Sequence, residues 1–232
     1  MKKLTKTQKK IYKIFDGNKI YSLTEATKIV KEISSYTYFN SSIDIAIRLG
    51  VDQRKANQII RGIVKLPFGS GKDFRVLALV ESDKQLEAKE AGADFIGYEE
   101  FLTKINEGWT EIDIIITTPT MMPKLGRLGK ILGPKKLMPN PKSGTVTIEI
   151  GKAIKEVKLG KIDFRADRNG IVHSTIGKAS FKAFQIKENS IELVNTLHHI
   201  KPSSIKGIYI KSIFLSGTMT PGVRVDVNSI SY

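Results

Sequence analysis

Hydrophobic residues change their spacing twice along this chain, and that change restricts its fold more than any other feature. Ile43, Ile45, Ile47 and Leu49 alternate with Asp44, Ala46 and Arg48, the pattern of a strand buried on one face. Alternation returns beyond Gly160, where residues 162–165 and 171–176 flank Asp167-Arg168-Asn169-Gly170 and the Asn-Gly pair predicts a hairpin. Residues 207–215 and 223–227 read as further strands. The middle differs. Residues 76–80, 95–97 and 112–117 are short, continuous apolar runs, with helical segments at 81–91 and 99–106 between them. Such runs predict parallel strands covered on both faces. The expected fold class is α/β (α+β). A discontinuous unit made of residues 1–67 and 161–232 receives a Rossmann-like parallel α/β insert over 68–160.

Local signals fill in the ends. Ser22-Leu23-Thr24-Glu25 is a capping box, and Leu23, Ala26, Ile29, Val30 and Ile33 follow at helical spacing. Residues 53–66 read as a helical turn and then a strand ending at Pro67. Residues 187–200 read as a helix with Ile191, Val194, Leu197 and Ile200 inward. The first dozen residues form a lysine-rich arm, either solubilising or in contact with RNA.

Charge follows the same division. The net charge is +15, of which residues 1–67 hold +9, residues 161–232 hold +5 and residues 68–160 only +1. Within the middle, residues 81–113 hold ten acids and three lysines, whereas 121–142 hold six bases and no acid. Such an excess repels itself unless a polyanion is near, so nucleic acid is the first partner to consider and an anionic membrane surface the second. No apolar stretch approaches the ~20 residues of a spanning helix. The N-terminal MKKLTKTQKK has no apolar run behind it, so a soluble, cytoplasmic protein is expected.

Catalytic and metal chemistry find little support. The chain has no cysteine, which excludes a disulfide scaffold, a thiolate zinc site and a cysteine nucleophile. His173, His198 and His199 are its three histidines, too few for a zinc shell without carboxylates and without a serine or carboxylate partner in the sequence. They read as structural or surface residues, and Trp109 as core at a helix end. Gly69-Ser70-Gly71-Lys72 is similar to a phosphate loop, but Asp73 follows where Ser or Thr is needed and a strand comes next. An interdomain turn is the better reading. The first strand of the insert lacks a Gly-x-Gly-x-x-Gly, which weighs against a nucleotide-using Rossmann enzyme. No cofactor and no metal are expected.

Residues 125–142 are the most unusual stretch: glycines and prolines punctuate it, and every charge is positive. A solvated loop is one reading. Loops longer than ~12–15 residues are more often functional or disordered, and glycine-freed amides beside Arg127, Lys130, Lys135, Lys136 and Lys142 suit phosphate contacts.

Residues 125–140 resemble the signature of the bacterial ribosomal protein L-one family. The resemblance extends through Arg48-Leu49-Gly50-Val51-Asp52, Arg61-Gly62, Glu90-Ala91-Gly92-Ala93-Asp94, Gly108-Trp109, Lys161-Ile162-Asp163-Phe164, Gly177-Lys178-Ala179-Ser180-Phe181 and Thr218-Met219. It implies a first domain built from both chain ends as a split β-α-β sheet, joined by a two-strand hinge to the Rossmann-like insert. It also implies a non-enzymatic, ribosome-bound protein, monomeric when free and without a membrane partner. Its partners would be large-subunit rRNA at a mobile stalk, exit-site tRNA, its own mRNA, whose translation it would repress, and other large-subunit components. The RNA contacts the family implies fall on Phe39, Ser42, His173, Ser174, Gly177, Lys178, Ser180, Thr218, Met219 and Thr220. Two positions depart from the family pattern, with Thr220 and Lys136 where glycine is usual. The threonine resists positive φ, so relief of the loop is expected at Gly217, and Lys136 is expected to alter its turn. A sequence-independent basic module is the remaining alternative.

Overall fold

A computed structural model describes residues 5–230. In chain order its helices and strands are α1 (Lys6–Ile14), α2 (Leu23–Ser34), β1 (Ser42–Leu49), β2 (Arg61–Lys65), β3 (Val76–Leu79), α3 (Ser82–Glu90), β4 (Phe95–Gly97), α4 (Glu99–Asn106) and β5 (Ile114–Thr117). There follow α5 (Met122–Gly126), α6 (Gly129–Leu132), α7 (Ile150–Lys158), β6 (Lys161–Arg165), β7 (Ile171–Lys178), α8 (Ala183–His199), β8 (Ile210–Gly217) and β9 (Val223–Val225). The chain divides into two compact units, one from both ends, up to Gly71 and from Ile162, and one from Lys72–Lys161.

In the two-ended unit, β1 is flanked by β7 and β8, antiparallel to both, with β9 outside β8. Strands β7 and β8 therefore run the same way on either side of β1, and α8 crosses between them, which is a split β-α-β arrangement. Alternation sorts the sheet's faces. Ile43, Ile45, Ile47 and Leu49 are buried, as are Ile213 and Leu215 of β8, in one core with Val30 and Ile33 of α2 and Leu193 and Leu197 of α8. The Ser22 capping box is formed at α2, and a second one, Thr5 with Gln8, starts α1. Part of the lysine-rich arm is thus helical, and residues 1–4 lie outside the described residues. Ile11 and Phe15 dock α1 on the core, leaving Lys9, Lys10 and Lys13 exposed.

Two features of this unit differ from the sequence expectation. The 167–170 turn closes, with Gly170 N–H donating to the Asp167 carbonyl at 3.0 Å, but the strands it joins separate after one bridge, Ala166 to Val172. β6 leaves to pair with β2 and β7 stays on β1, and Phe164 of β6 still reaches the core that holds Val172 and Ile176 of β7. Helix α8 begins four residues before 187, and its inner face is Ile186, Asn189, Ser190, Leu193, Val194 and Leu197. Ile191 and Ile200 pack only partly buried.

The insert is a parallel three-stranded sheet in the order β4-β3-β5. β3 is buried on both faces. Val76, Ala78 and Val80 meet Ala88 of α3 and Ile154 of α7, whereas Leu77 and Leu79 meet Phe101 and Ile105 of α4 and Leu125 of α5. Residues 125–142 are no solvated loop. Leu125, Leu128, Leu132 and Leu137 are core; Leu125 lies on the short helix α5, Leu132 on α6, Leu128 between the two and Leu137 beyond them. Trp109 packs 5.2 Å from Phe95 and 5.6 Å from Phe101, ring centre to ring centre.

The segment leaving the two-ended unit is docked rather than loose. Asn189, fully buried on α8, accepts from the Phe68 N–H at 3.2 Å and donates to the Gly69 carbonyl at 2.9 Å. Gly71, at φ +69°, lies where a Cβ would come within 3.0 Å of the Lys178 and Phe181 side chains. The unit therefore extends past Pro67 to Gly71. Beyond it, Lys72 and Arg75 pair with Asp113 at 2.7 and 3.2 Å. Burial alone would raise the Asp113 pKa, but hydrogen bonds from Lys72 and Arg75 outweigh it and hold the carboxyl below its usual range.

Candidate nucleic-acid interface

Strand register brings distant segments to one edge. Ser42, the first residue of β1, lies opposite Lys178 at the end of β7, and Ile43 lies opposite Gly217 at the end of β8. The pairing continues into the loops: Ala179 N–H donates to the Ser41 carbonyl at 2.8 Å and Thr218 N–H to the Ser42 carbonyl at 2.9 Å. Side chains tie the same loops. Lys178 Nζ donates to Ser42 Oγ at 3.0 Å, and Asn40 accepts from the Ser180 N–H at 3.1 Å. Phe39 projects half-exposed beside them, and Met219 is 88% exposed at the tip of the next loop.

The register also contains a bulge. Ile43 pairs with Gly177 and Asp44 with Thr175, so Ile176 is the extra residue of β7. A bulge leaves backbone groups unpaired and strengthens the local twist. Here the Ile176 carbonyl accepts from Asn189 Nδ2 at 2.7 Å. One buried amide thus satisfies both the bulge and the docked exit segment.

The 217–220 loop resolves the threonine departure. The left-handed residue is Met219, at φ +66°, and neither Thr220 nor Gly217 has positive φ. Thr220 instead closes the turn: its Oγ1 accepts from the Gly217 N–H at 2.8 Å and donates to the Gly217 carbonyl at 3.0 Å. Gly217 is required for space, since a Cβ there would come within 2.5 Å of Ser34 Oγ. At the other departure, Lys136 takes φ +59° and so keeps the left-handed backbone glycine favours.

His173 and Ser174 lie on opposite faces. His173 pairs with Ala46 and is exposed, with Nε2 3.9 Å from Asp167 Oδ2, away from the edge. Ser174 pairs with the buried Ile45 and so faces inward, and Thr175 occupies the outward position, donating to Asp44 Oδ1 at 2.6 Å. Asp44 is the single acid on the four strands of this sheet, against Arg48, Lys178, Lys211 and Arg224. In the insert, Arg127, Lys130, Lys135, Lys136 and Lys142 are exposed around their leucine core, with Lys135 Nζ hydrogen-bonded to the Thr110 hydroxyl. Sequence reasoning missed Asn40, Asn189 and Lys31, whose ammonium donates to the Phe181 carbonyl at 2.7 Å. For Asn189 there was a signal, a polar residue in register with the apolar face of α8.

A model of the ribosomal protein L1p/L10e family matches residues 29–221. The chain belongs to that family. It is 56% identical over 230 residues to the large ribosomal subunit protein uL1 of Porphyromonas gingivalis, covering 99% of each chain. It is also 56% identical over 230 residues to that of Flavobacterium psychrophilum, covering 99% of this chain and all of the relative. The uL1 of Bacteroides thetaiotaomicron is 55% identical over 230 residues, again covering 99% of each. This L1-family chain is a ribosomal protein and not an enzyme. The insert's local chemistry agrees. Helices α3 and α4 carry Asp83, and Glu99 with Glu100, in their first turns, acids that repel a phosphate where a Rossmann nucleotide site needs one. His198 packs edge-on to Tyr209 at 5.8 Å, where burial lowers its pKa, and burial pushes the Tyr209 hydroxyl up to about 12. Among the described residues no cluster of metal-ligating side chains occurs, and no helix is long and apolar enough to cross a membrane.

Proposed function

We propose that this protein is a constituent of the large ribosomal subunit that grips large-subunit rRNA of the mobile stalk through the loop edge of its two-ended unit. Convergence carries the reading: Phe39, Ser42, Gly177, Lys178, Ser180, Thr218, Met219 and Thr220 come from three distant segments to one hydrogen-bonded edge. The uL1 name of its relatives supports the subunit assignment. Structured RNA is read through shape, 2′-hydroxyls and phosphates, and small hydroxyl residues, exposed backbone and a lysine suit that contact. Ser180 brings exposed backbone close, Gly177 lies buried beneath the Phe181 ring and lets that loop pack there, and Lys178 supplies a charge already oriented by Ser42. His173 lies along the outward sheet face, where it reaches a second segment of the same RNA. Ser174, facing inward, supports the sheet rather than touching RNA. The same edge would bind a mimic of the stalk on the protein's own mRNA and repress its translation. The insert's basic loop, Arg127 to Lys142, would meet exit-site tRNA as deacylated tRNA leaves. The remaining partners are other large-subunit components; the free protein is a monomer.

Phe39→Ala and Lys178→Ala are expected to weaken binding of a stalk rRNA fragment while leaving the fold intact. Loss of the Lys178 phosphate contact should shallow the salt slope by roughly 0.7–0.9 units. Unchanged affinity and slope for both variants, in titrations at several salt concentrations, would reject this edge. Sequencing RNA crosslinked to the protein in cells separates stalk rRNA from indiscriminate RNA.

Met219 supplies a test of a different kind. A bulky residue in the left-handed region costs about 1–2 kcal/mol, and such strain gathers at functional sites. Met219→Gly is expected to raise the denaturation midpoint slightly and lower rRNA affinity. A rise in both would separate the strained tip from binding.

A further inference from the structure

A second aromatic feature lies outside the loop edge. Phe68 and Phe184 meet edge to face, ring centres 5.4 Å apart at 86°, yet they are 39% and 52% exposed. An aromatic pair left open to water on a soluble unit has area to offer a partner. Both rings stand on fixed backbone. The Phe68 N–H is held by buried Asn189, and Phe184 lies in the first turn of the 17-residue helix α8. The loop before that helix is pinned where Lys31 meets the Phe181 carbonyl. The pair is also continuous with the edge. The Phe181 ring packs against both Gly177 and Gly71, the latter also against Lys178, and Gly71 lies three residues from Phe68. Lys65 and Lys182 are exposed within three residues of the two rings, and Glu188, one helical turn beyond Phe184, is an acid on the same helix.

We propose that the Phe68–Phe184 pair is a stacking platform for one unpaired nucleotide of the bound RNA, extending the interface from Lys178 along the exit segment. This rests on the rRNA reading of the edge. Unpaired bases are splayed onto aromatic side chains in RNA recognition, and the neighbouring lysines suit the phosphates on either side of such a base. Charge complementarity and the rings together select the occupant: the two chain ends hold nearly all of the net +15, an apolar peptide would gain nothing from the lysines, and an acidic peptide without aromatic residues would gain nothing from stacking on the rings. The edge would then fix the fold of the RNA, and the platform would test whether a nucleotide at one position is free to leave the helix.

The test uses the full chain and a stalk rRNA fragment whose unpaired nucleotides are replaced one at a time by 2-aminopurine. Its fluorescence falls when the base stacks. The wild-type protein should quench one position strongly. Phe184→Ala should abolish that quench and weaken binding about tenfold, and Phe184→Tyr should restore both. A fragment with its unpaired nucleotides closed into base pairs should bind wild type and Phe184→Ala alike. Phe184 is a surface residue, so its replacement tests the platform even if Phe68→Ala disturbs the docked segment. The platform is overturned if Phe184→Ala matches wild type within about twofold and quenches the same positions while Lys178→Ala weakens binding; the edge then stands without it. If wild type shows no preference for the stalk fragment over random RNA, the reading of the edge fails and the platform with it.

Discussion

Asn189→Leu is expected to lower the urea midpoint of the two-ended unit by about 2 M and to leave the insert's transition where it was. Leucine fills nearly the same space, so the loss is polar. It strands the Phe68 N–H and the carbonyls of Gly69 and Ile176, which wild-type Asn189 holds at 3.2, 2.9 and 2.7 Å. Each stranded buried group costs about 1–3 kcal/mol. Water reaching the half-exposed exit segment recovers part of that, leaving roughly 4 kcal/mol. With a urea dependence of about 2 kcal/mol per molar, this becomes the stated shift. Against a usual net stability of about 5–15 kcal/mol it is a large fraction. Ser190→Ala is the comparison. Ser190 is equally buried, but its hydroxyl bonds the Ile186 carbonyl within its own helix at 2.6 Å, so its loss should cost less than about 1 kcal/mol. Equal shifts for the two variants would mean that burial of polarity, and not the link between three segments, sets the cost. The unfolding must be followed with a probe in each unit, because a chain of two units need not melt in one step.

The same residue shows where sequence reasoning stopped. β1 was legible because one buried face imposes strict alternation, and the Ser22 capping box because it is local. Strands β3, β4 and β5 were legible as uninterrupted apolar runs, the mark of burial on both sides. What escaped was long-range. Asn189 and Ser190 stand on the inner face of α8 between Ile186 and Leu193, so Ile186 reads as isolated from the apolar stripe and the helix as beginning later than it does. The bulge at Ile176 leaves no trace in the sequence, since nothing local says which partner residue is skipped. The 167–170 turn was legible, but whether its flanking strands stay paired depends on distant partners, β2 for β6 and β1 for β7. Residues 150–158 did carry a helical signal in Ile150, Ala153, Ile154 and Val157. In 125–142 the glycines and prolines concealed leucines that turned out to be core. The site residues were named through family resemblance, and their physical relation, three loops tied to one another at Ser42, needed the strand register.

The two chain ends alone should bind the stalk fragment nearly as tightly as the whole chain. Gly71 and Ile162, joined by a short Gly/Ser linker, delimit a polypeptide that keeps everything the edge needs. Strands β7, β1, β8 and β9 form one sheet, β2 pairs with β6, and a single core runs from Ile11 to Ile230. Joining at Pro67 would discard the segment that Asn189 and Phe181 hold, which is why the cut belongs after Gly71. The ends also hold nearly all of the positive charge, so most long-range attraction to phosphate survives. Residues 72–161 alone have two apolar clusters of their own around β3 and should fold. Their RNA affinity should be lower by about a thousandfold or more, the gap between specific and non-specific nucleic-acid binding. The reason is charge placement: six bases in 121–142 are offset by ten acids in 81–113. The measurement is a paired titration of both polypeptides against one stalk RNA at one salt concentration, after circular dichroism shows that each is folded. Tight binding by the insert, with none by the folded chain ends, would move the interface from the loop edge at Ser42 to the basic stretch around Lys130 and Lys142.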